Sequence, residues 1–446
     1  MTELEQRVHD GTIDTVLVAM TDMQGRLQGK RCAAEHFLHD VVTRGADACN
    51  YLLGVDVEMD TIAGYDLTSW ERGYGDFTLC PDLATLRLVP WHEATALVLC
   101  DVLHTDGTPV APSPRQVLRR QVDRLAERDL IADVGTELEF IVFRDTYEAA
   151  WGLGYRGLTP ANLYNVDYSL LGTARVEPLL RRIRNDMTAA GMTVESAKGE
   201  CNLGQHEITF RYADALTTCD HHAVYKTGAK EIAHQEGCSL TFMAKFDERE
   251  GNSCHIHISL RSTESGPPLF AGDGPYGFSP VMEHFLAGQL ACLRELTLFF
   301  APTINSYKRF VASSFAPTAV AWGVDNRTCA LRVVGHDASV HLETRVPGGD
   351  VNPYLAVAAL IAAGLHGIDA ELPLEPPVAG NAYTGGAPRV PSTLTVAAER
   401  FDESAVARSA FGDDVVDHYV HAARVELAAF ESSVTDWERF RGFERL

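Results

Sequence analysis

Short apolar runs broken by turn residues fill the first hundred positions. TVLVAM and ALVLCDVL alternate with segments rich in Gly, Asp and Pro, a pattern of strands with few long helices. Residues 107–114 (GTPVAPSP) form a Pro-rich hinge, and helical periodicity starts after it: Val117, Leu118, Val122 and Leu125 share one face, arginines the other, with Pro114 in the first turn. The hinge places a domain boundary near residue 111. Beyond it, VGTELEFIVF, HEITFRY, CHIHISL and ALRVV predict strands, while VEPLLRRIRNDMTAAG and EHFLAGQLACLRELTLFF predict helices. Residues 354–368 (YLAVAALIAAGLHGI) are apolar almost throughout, yet shorter than the roughly 20 residues that span a bilayer. They read as a buried core helix. Residues 261–277 read as a long irregular surface loop, and no internal repeat is visible. The sum is an α+β fold with a mainly antiparallel sheet.

Composition narrows the partners. The 446 residues are 46% hydrophobic, and 38 Lys and Arg face 61 Asp and Glu, a formal charge of -23. Such a balance repels phosphate backbones and anionic lipid, so neither nucleic acid nor membrane is expected as a partner. Ten cysteines carry no CxxC pair and no framework spacing, as expected for reduced, mostly buried thiols of a cytoplasmic protein. The first twenty residues lack the pattern of a secretory signal.

Two motif matches fail on context. Gly152, Gly154 and Gly157 satisfy GxGxxG, but Leu158, Thr159 and Pro160 follow where a dinucleotide-binding helix must open. Residues 25–30 (GRLQGK) imitate a phosphate-binding loop one residue too short, with Arg31 where Ser or Thr should stand.

The informative strands carry ionisable residues at period two. Glu137 and Glu139 project to one face of TELEFIVF, His255 and His257 to one face of CHIHISL, and Glu343 and Arg345 to one face of HLETRVPGGD; Glu200 and Glu207 bracket a turn-like segment. Taken singly, each strand could be the wet face of a half-buried sheet. Together they are almost wholly Glu, His and Arg, with Ser259 the exception, whereas a solvated face would mix in Lys, Thr and Ser. Carboxylates with one imidazole suit hard divalent ions such as magnesium or manganese. Lys308, Arg309, Arg327, Arg332 and Arg345 form a second, cationic group, suited to the spread negative charge of phosphoryl transfer.

TELEFIVF, KGECNLGQHEI, GNSCHIHISL, INSYKRF, DNRTCALRV and ETRVPGGDVNPYLAVAALIAAGLHGI stand in the order and spacing of the glutamine synthetase superfamily, class I-like branch, which the chain resembles from about residue 12 to residue 370. Within it, the sequence is most similar to the actinobacterial enzymes that join glutamate to an organic amine, the γ-glutamylethanolamide synthetases in particular. The resemblance implies an N-terminal β-grasp domain (1–110), a catalytic domain with a curved, mainly antiparallel sheet (111–446), and a homododecamer of two stacked hexameric rings with shared active sites. It implies ATP as cosubstrate and two to three Mg2+ or Mn2+ ions. Glu139, Glu200 and Glu207 would hold the metal nearest glutamate and the amine; Glu137, His255 and Glu343 would hold the metal on the ATP phosphates. Gly251, Arg309 and Arg345 would position L-glutamate, the arginines pairing its carboxylates. His257 and Ser259 would contact nucleotide, Arg327 and Arg332 would stabilise the phosphoryl group in flight, and Glu200 would share in proton removal.

Departures from the family pattern point to the amine. The glutamate expected six residues beyond Arg309, which helps bind ammonium, is Phe315. Phenyl removes the charge and supplies apolar surface, which favours an amine bearing carbon. The acid that reaches the amine site from a neighbouring subunit aligns with Asp56 or Glu58. The nucleotide motif reads Lys245-Phe246 in place of Lys-Pro, and His341 replaces an arginine. Tyr383 matches the adenylylated tyrosine of bacterial relatives in a different context. The expected reaction therefore joins the γ-carboxylate of glutamate to a small primary amine, ethanolamine foremost, through γ-glutamyl phosphate. Ammonia-dependent glutamine synthesis, ligation of polyamines and a non-catalytic scaffold are the alternatives.

Overall fold

The computed structural model describes residues 3–262 and 266–446. Six strands come from the first hundred or so residues: β1 (Thr15–Thr21), β2 (Leu27–Ala33), β3 (Ala46–Cys49), β4 (Asp76–Pro81), β5 (Arg87–Leu88) and β6 (Thr95–Leu103). They form one sheet in the order β2-β1-β6-β4-β3, with β5 also on β6. Only the β1–β6 pair is parallel. The apolar runs that predicted strands are β1 and β6, whose residues are mostly buried.

The larger sheet has nine strands: β7 (Leu130–Phe143), β8 (Val194–Gly199), β9 (Gln205–Phe210), β10 (Ala213–Asp214), β11 (Ser239–Thr241), β12 (Cys254–Ser262), β13 (Trp322–Val324), β14 (Leu331–Val334) and β15 (His341–Thr344). Its order is β13-β14-β15-β12-β7-β9-β8, with β10 and β11 also on β7. All its pairs are antiparallel except β13–β14. The fold is thus the expected α+β mixture. β7 runs for 14 residues and borders four other strands, so it is the axis to which the other site strands are registered.

The apolar tract is the helix Pro353–Asp369, buried along nearly its whole length and packed on the helix Pro280–Cys292. That second helix stops at Cys292, and a separate short helix, Thr297–Phe300, follows where the sequence suggested one continuous element. The predicted surface loop is also more ordered than expected. Arg261 and Ser262 complete β12, residues 263–265 lie outside the described residues, and Phe270 is fully buried. GxGxxG lies at the end of the helix Tyr147–Gly152 and beyond it, not before a helix. All ten cysteines are free. Among the described residues no helix is long and apolar enough to cross a membrane.

Charge and amide contacts dock the smaller sheet on the larger unit. Arg115 is buried and donates to Asp220 (3.0 and 2.9 Å), to Asp101 (2.6 Å) and to Asp82 (2.8 Å). Asn352 caps the apolar helix with its side-chain oxygen, while its amide donates to the carbonyls of Asp22 (3.2 Å) and Met23 (3.1 Å). His418 completes the junction: Nε2 lies 3.0 Å from Met23 Sδ, and the ring packs on Tyr65 at 4.5 Å between centroids.

Burial pushes the His418 imidazole down to about 3. The folded protein therefore keeps this ring neutral, whereas an unfolded histidine takes up a proton near pH 6.5. Stability from His418 is complete above that pH and is lost progressively as pH falls from about 6.5 towards 3. Thermal melting of His418→Phe is expected to lose less between pH 6.5 and 4.5 than melting of the natural protein; equal losses would refute this origin of acid sensitivity.

Candidate active site

Antiparallel register brings ionisable residues of six strands together. Glu139 on β7 lies opposite Glu207 on β9, which lies opposite Lys198 on β8. Glu137 lies opposite His255 on β12, and His257 lies opposite Glu343 on β15, which in turn lies opposite Arg332 on β14. Since side chains two apart share a face, all these groups meet on one surface of the sheet. Glu200 joins from the turn between β8 and β9.

Two compact groups result. Candidate ligand atoms of Glu139, Glu200 and Glu207 lie within 4.8 Å of one another, as do those of Glu137, His255 and Glu343. A third group, Asp167, Glu200 and Cys201, shares Glu200 and opens towards solvent. Glu139 is tightly held: Ser253 donates from its amide (2.7 Å) and hydroxyl (2.5 Å), and Gln205 Nε2 donates at 3.0 Å. Ser253 and Gln205 were not singled out from the sequence. Gln205 sits in the β9 motif, but its partnership depends on strand pairing.

Electrostatics separate the two groups. Burial raises Glu207 to about 9, reinforced by the charges of Glu137, Glu139 and Glu200; burial and Glu139 raise Glu200 to about 7. Lys198 offsets this crowding: it bonds Glu200, and that contact holds its ammonium above the usual range despite burial. Around Glu343 the balance is reversed. Burial works against its charge, but His255, Arg345, His257 and Arg332 hold it at about 2. Arg332 Nη1 donates to it at 2.9 Å, and Arg345 also bonds it. Burial opposes the charge of Glu137 too, yet His255 (3.4 Å) and His257 (3.2 Å) hold it well below the usual carboxylate range. Burial, then Arg345, lowers His255, whereas the Glu137 contact raises His257 against burial.

The donor chemistry fits divalent metal. One group offers oxygen alone, the other two carboxylates and an imidazole, a set suited to Mg2+ or Mn2+. The burial and mutual repulsion that raise Glu200 and Glu207 are what a bound cation would offset.

Arg309 is buried, with Nη2 donating to the carbonyls of Arg345 (2.9 Å) and Pro347 (2.7 Å), while its Nε and Nη1 and the Nε of Arg345 find no protein partner. Burial lowers Arg309 to about 10, still charged at neutral pH. Gly251 is needed for this packing: a Cβ there would fall 2.1 Å from the Ala244 carbonyl oxygen and 3.0 Å from the Arg309 side chain. Its own carbonyl accepts from Gln205 at 3.0 Å.

Other expected residues sit at the rim. Ser259 is on β12 opposite Asp133, on the face of His255 and His257. His341 Nε2 lies 3.0 Å from His257 Nδ1. Arg327 is more than half exposed, 3.9 Å from Asp325, which also accepts from Arg332. Lys308 is exposed. Phe315 is 57% exposed in a left-handed backbone conformation (φ 58°), and its carbonyl lies 3.5 Å from Arg345 Nη2. Tyr383 is buried, its hydroxyl donating to the Ala316 carbonyl at 3.1 Å. Asp56 and Glu58 are not brought to the triads of their own chain. Asp56 Oδ1 accepts from the amides of Glu58 (2.9 Å) and Asp60 (3.0 Å), and both acids raise Glu426 on the C-terminal helix Asp413–Ser432, after burial.

Comparison with known proteins identifies the family. The family model for the glutamine synthetase catalytic domain matches residues 111–441. The chain is 64% identical to γ-glutamylethanolamide synthetase GlnA4 of Streptomyces coelicolor over 444 residues, covering 100% of this chain and 96% of that protein. It is 38% identical to a glutamate–isopropylamine ligase of a Pseudomonas species, covering 96% of this chain and 95% of that one. Among solved structures, an ADP complex of GmaS superposes with a TM-score of 0.87 at 28% identity, covering 100% of both chains. The chain belongs to the glutamine synthetase family.

Proposed function

We propose that the protein is an ATP-dependent ligase that joins the γ-carboxylate of L-glutamate to a small organic primary amine, ethanolamine foremost. One juxtaposition carries the reading: two metal-type triads share a sheet face with buried arginines whose donors are unspent. The full-length identity to a γ-glutamylethanolamide synthetase supports the choice of amine.

Arg309 and Arg345 pair the carboxylates of glutamate, with Gly251 giving the substrate access beside Arg309. His257 and Ser259 contact the nucleotide. A γ-carboxylate oxygen attacks the γ-phosphorus of ATP as the bond to the ADP oxygen breaks, and Arg327 and Arg332 stabilise the charge spread over the transferring group. The amine nitrogen then attacks the acyl carbon, phosphate departs with the bonding pair, and the nitrogen's proton passes to a carboxylate, Glu200 or a neighbouring subunit's acid at position 56 or 58. Two to three magnesium or manganese ions, held by Glu139, Glu200 and Glu207 and by Glu137, His255 and Glu343, would supply Lewis-acid stabilisation of the phosphate and carboxylate oxygens. Phe315 offers the amine's carbon an apolar surface where a carboxylate would favour ammonium.

The same reading takes residues 1–110 as a β-grasp unit and 111–446 as the catalytic unit. It takes the working form as a cytoplasmic homododecamer in which a neighbour's Asp56 or Glu58 closes the amine site. Within one chain Asp56 takes the amides of Glu58 and Asp60, and both acids act on Glu426.

Phosphate release from ATP, glutamate and magnesium is expected to be fastest with ethanolamine in a panel with ammonium, ethylamine, putrescine and spermidine. Ammonium as the best substrate would overturn the amine assignment, and no release with any amine would favour a scaffold. Phe315→Glu is expected to raise kcat/KM for ammonium relative to ethanolamine. Glu207→Ala should abolish turnover and weaken Mn2+ binding measured by calorimetry without disassembling the protein; retained activity refutes its role as a ligand. Gly251→Ala should lower kcat/KM for glutamate by roughly tenfold or more, since its Cβ forces Arg309 to move; unchanged kinetics would remove Gly251 from the glutamate site.

A further inference from the structure

Loss of the flap carboxylate at Phe315 leaves an open question: which group of this chain receives the positive charge of the incoming amine? Amines of this class are protonated in water near neutral pH, and a cation leaving solvent needs a counter-charge. The structure already holds a primary alkylammonium beside the Glu139–Glu200–Glu207 group, the side chain of Lys198. Its Nζ bonds Glu200, stands 3.8 Å from Asp167 Oδ1, and lies over the Tyr168 ring at 4.8 Å from the centroid. Two carboxylates and an aromatic face are the surroundings that recognise an alkylammonium.

The segment that supplies Asp167 and Tyr168 is anchored. Val166, just before them, is fully buried against the end of β8, where Gly199 has no Cβ; one there would lie 2.3 Å from the Val166 carbonyl oxygen. Asn162 donates to the Gly172 carbonyl at 2.8 Å and its side-chain oxygen lies 3.0 Å from His206 Nε2, which ties both ends of the segment to the sheet. The Asp167 amide donates to Asn165 Oδ1 at 2.8 Å, and Cys201 Sγ donates to Asp167 Oδ2 at 3.7 Å. Asp167 is therefore positioned beside the reacting face, with its carboxylate still partly open to solvent.

We propose that Asp167 is a specificity-determining residue that binds the ammonium of the incoming amine, with the Tyr168 ring as its second wall, in the place that the Lys198 ammonium marks. Glu139, Glu200 and Glu207 would hold a divalent ion, and Glu200 so engaged would no longer be the partner of Lys198. Asp167 and Tyr168 would then remain as the carboxylate and the aromatic face open to the substrate. An organic amine thereby gains at Asp167 the counter-charge absent from position 315, and its carbon lies towards the aromatic wall. The proposal rests on the ligase reading above.

The test compares Asp167→Asn with the natural protein, using ethanolamine and hydroxylamine, an amine nucleophile that is uncharged near neutral pH. The expected result is a roughly tenfold or greater rise in KM for ethanolamine, the loss of one charge-assisted contact. KM for ATP and glutamate, Mn2+ binding, and KM for hydroxylamine should change less than about twofold. Asp167→Glu should recover part of the ethanolamine affinity, and Lys198→Met should lower KM for ethanolamine by removing the resident competitor. A natural protein active with ethanolamine whose Asp167→Asn variant keeps the same KM, or weakens both amines equally, overturns the assignment while leaving the ligase reading intact. A natural protein that releases no phosphate with any amine overturns both.

Discussion

Repulsion between carboxylates governs this molecule. Glu137 and Glu139 stand two residues apart on β7, with Glu207 directly across from Glu139, so strand geometry itself forces like charges onto one half-buried surface. Such a face persists only if cations answer it. On one side protein groups do so: His255, His257, Arg332 and Arg345 gather round Glu137 and Glu343. On the other side Lys198 is the cation that bonds Glu200, and burial with carboxylate crowding raises both Glu200 and Glu207. The asymmetry distinguishes a half whose charge is balanced by the chain from a half that calls for an external cation.

The scaffold is built to hold that unfavourable arrangement still. β7 pairs along most of its length, the apolar helix Pro353–Asp369 is buried except in its last turn, and the Arg115 cluster fastens the smaller sheet to the larger unit. Arg309 shows the same economy: two backbone carbonyls take one nitrogen, and the remaining donors are withheld from protein and from solvent. A buried guanidinium with unfilled donors is costly unless a substrate anion completes it.

The residues to which the proposals assign the choice of amine are far fewer. Phe315 stands exposed on a loop beside Arg345, and Asp167 and Tyr168 lie around the Lys198 ammonium that bonds Glu200.

Period-two Glu, His and Arg residues were legible in the chain as facing one way along each strand, and the apolar tract as a core helix, because both follow from local backbone geometry. Local pattern also placed the strands of β7, β9, β12 and β14, and the family motifs named six metal-type ligands. Strand pairing was not legible. That Glu139 faces Glu207, that Ser253 and Gln205 clamp it, and that Lys198 stands among the acids depend on registers between segments tens to more than a hundred residues apart. The break after Cys292 and the ordered course around Phe270 are likewise tertiary outcomes, since packing rather than propensity decides them. Sequence by itself determined which chemical groups the protein owns and which face of each strand they occupy. Only the tertiary structure decided which of those groups meet, because Coulomb forces and hydrogen bonds act over a few ångströms and chain order says nothing about distance.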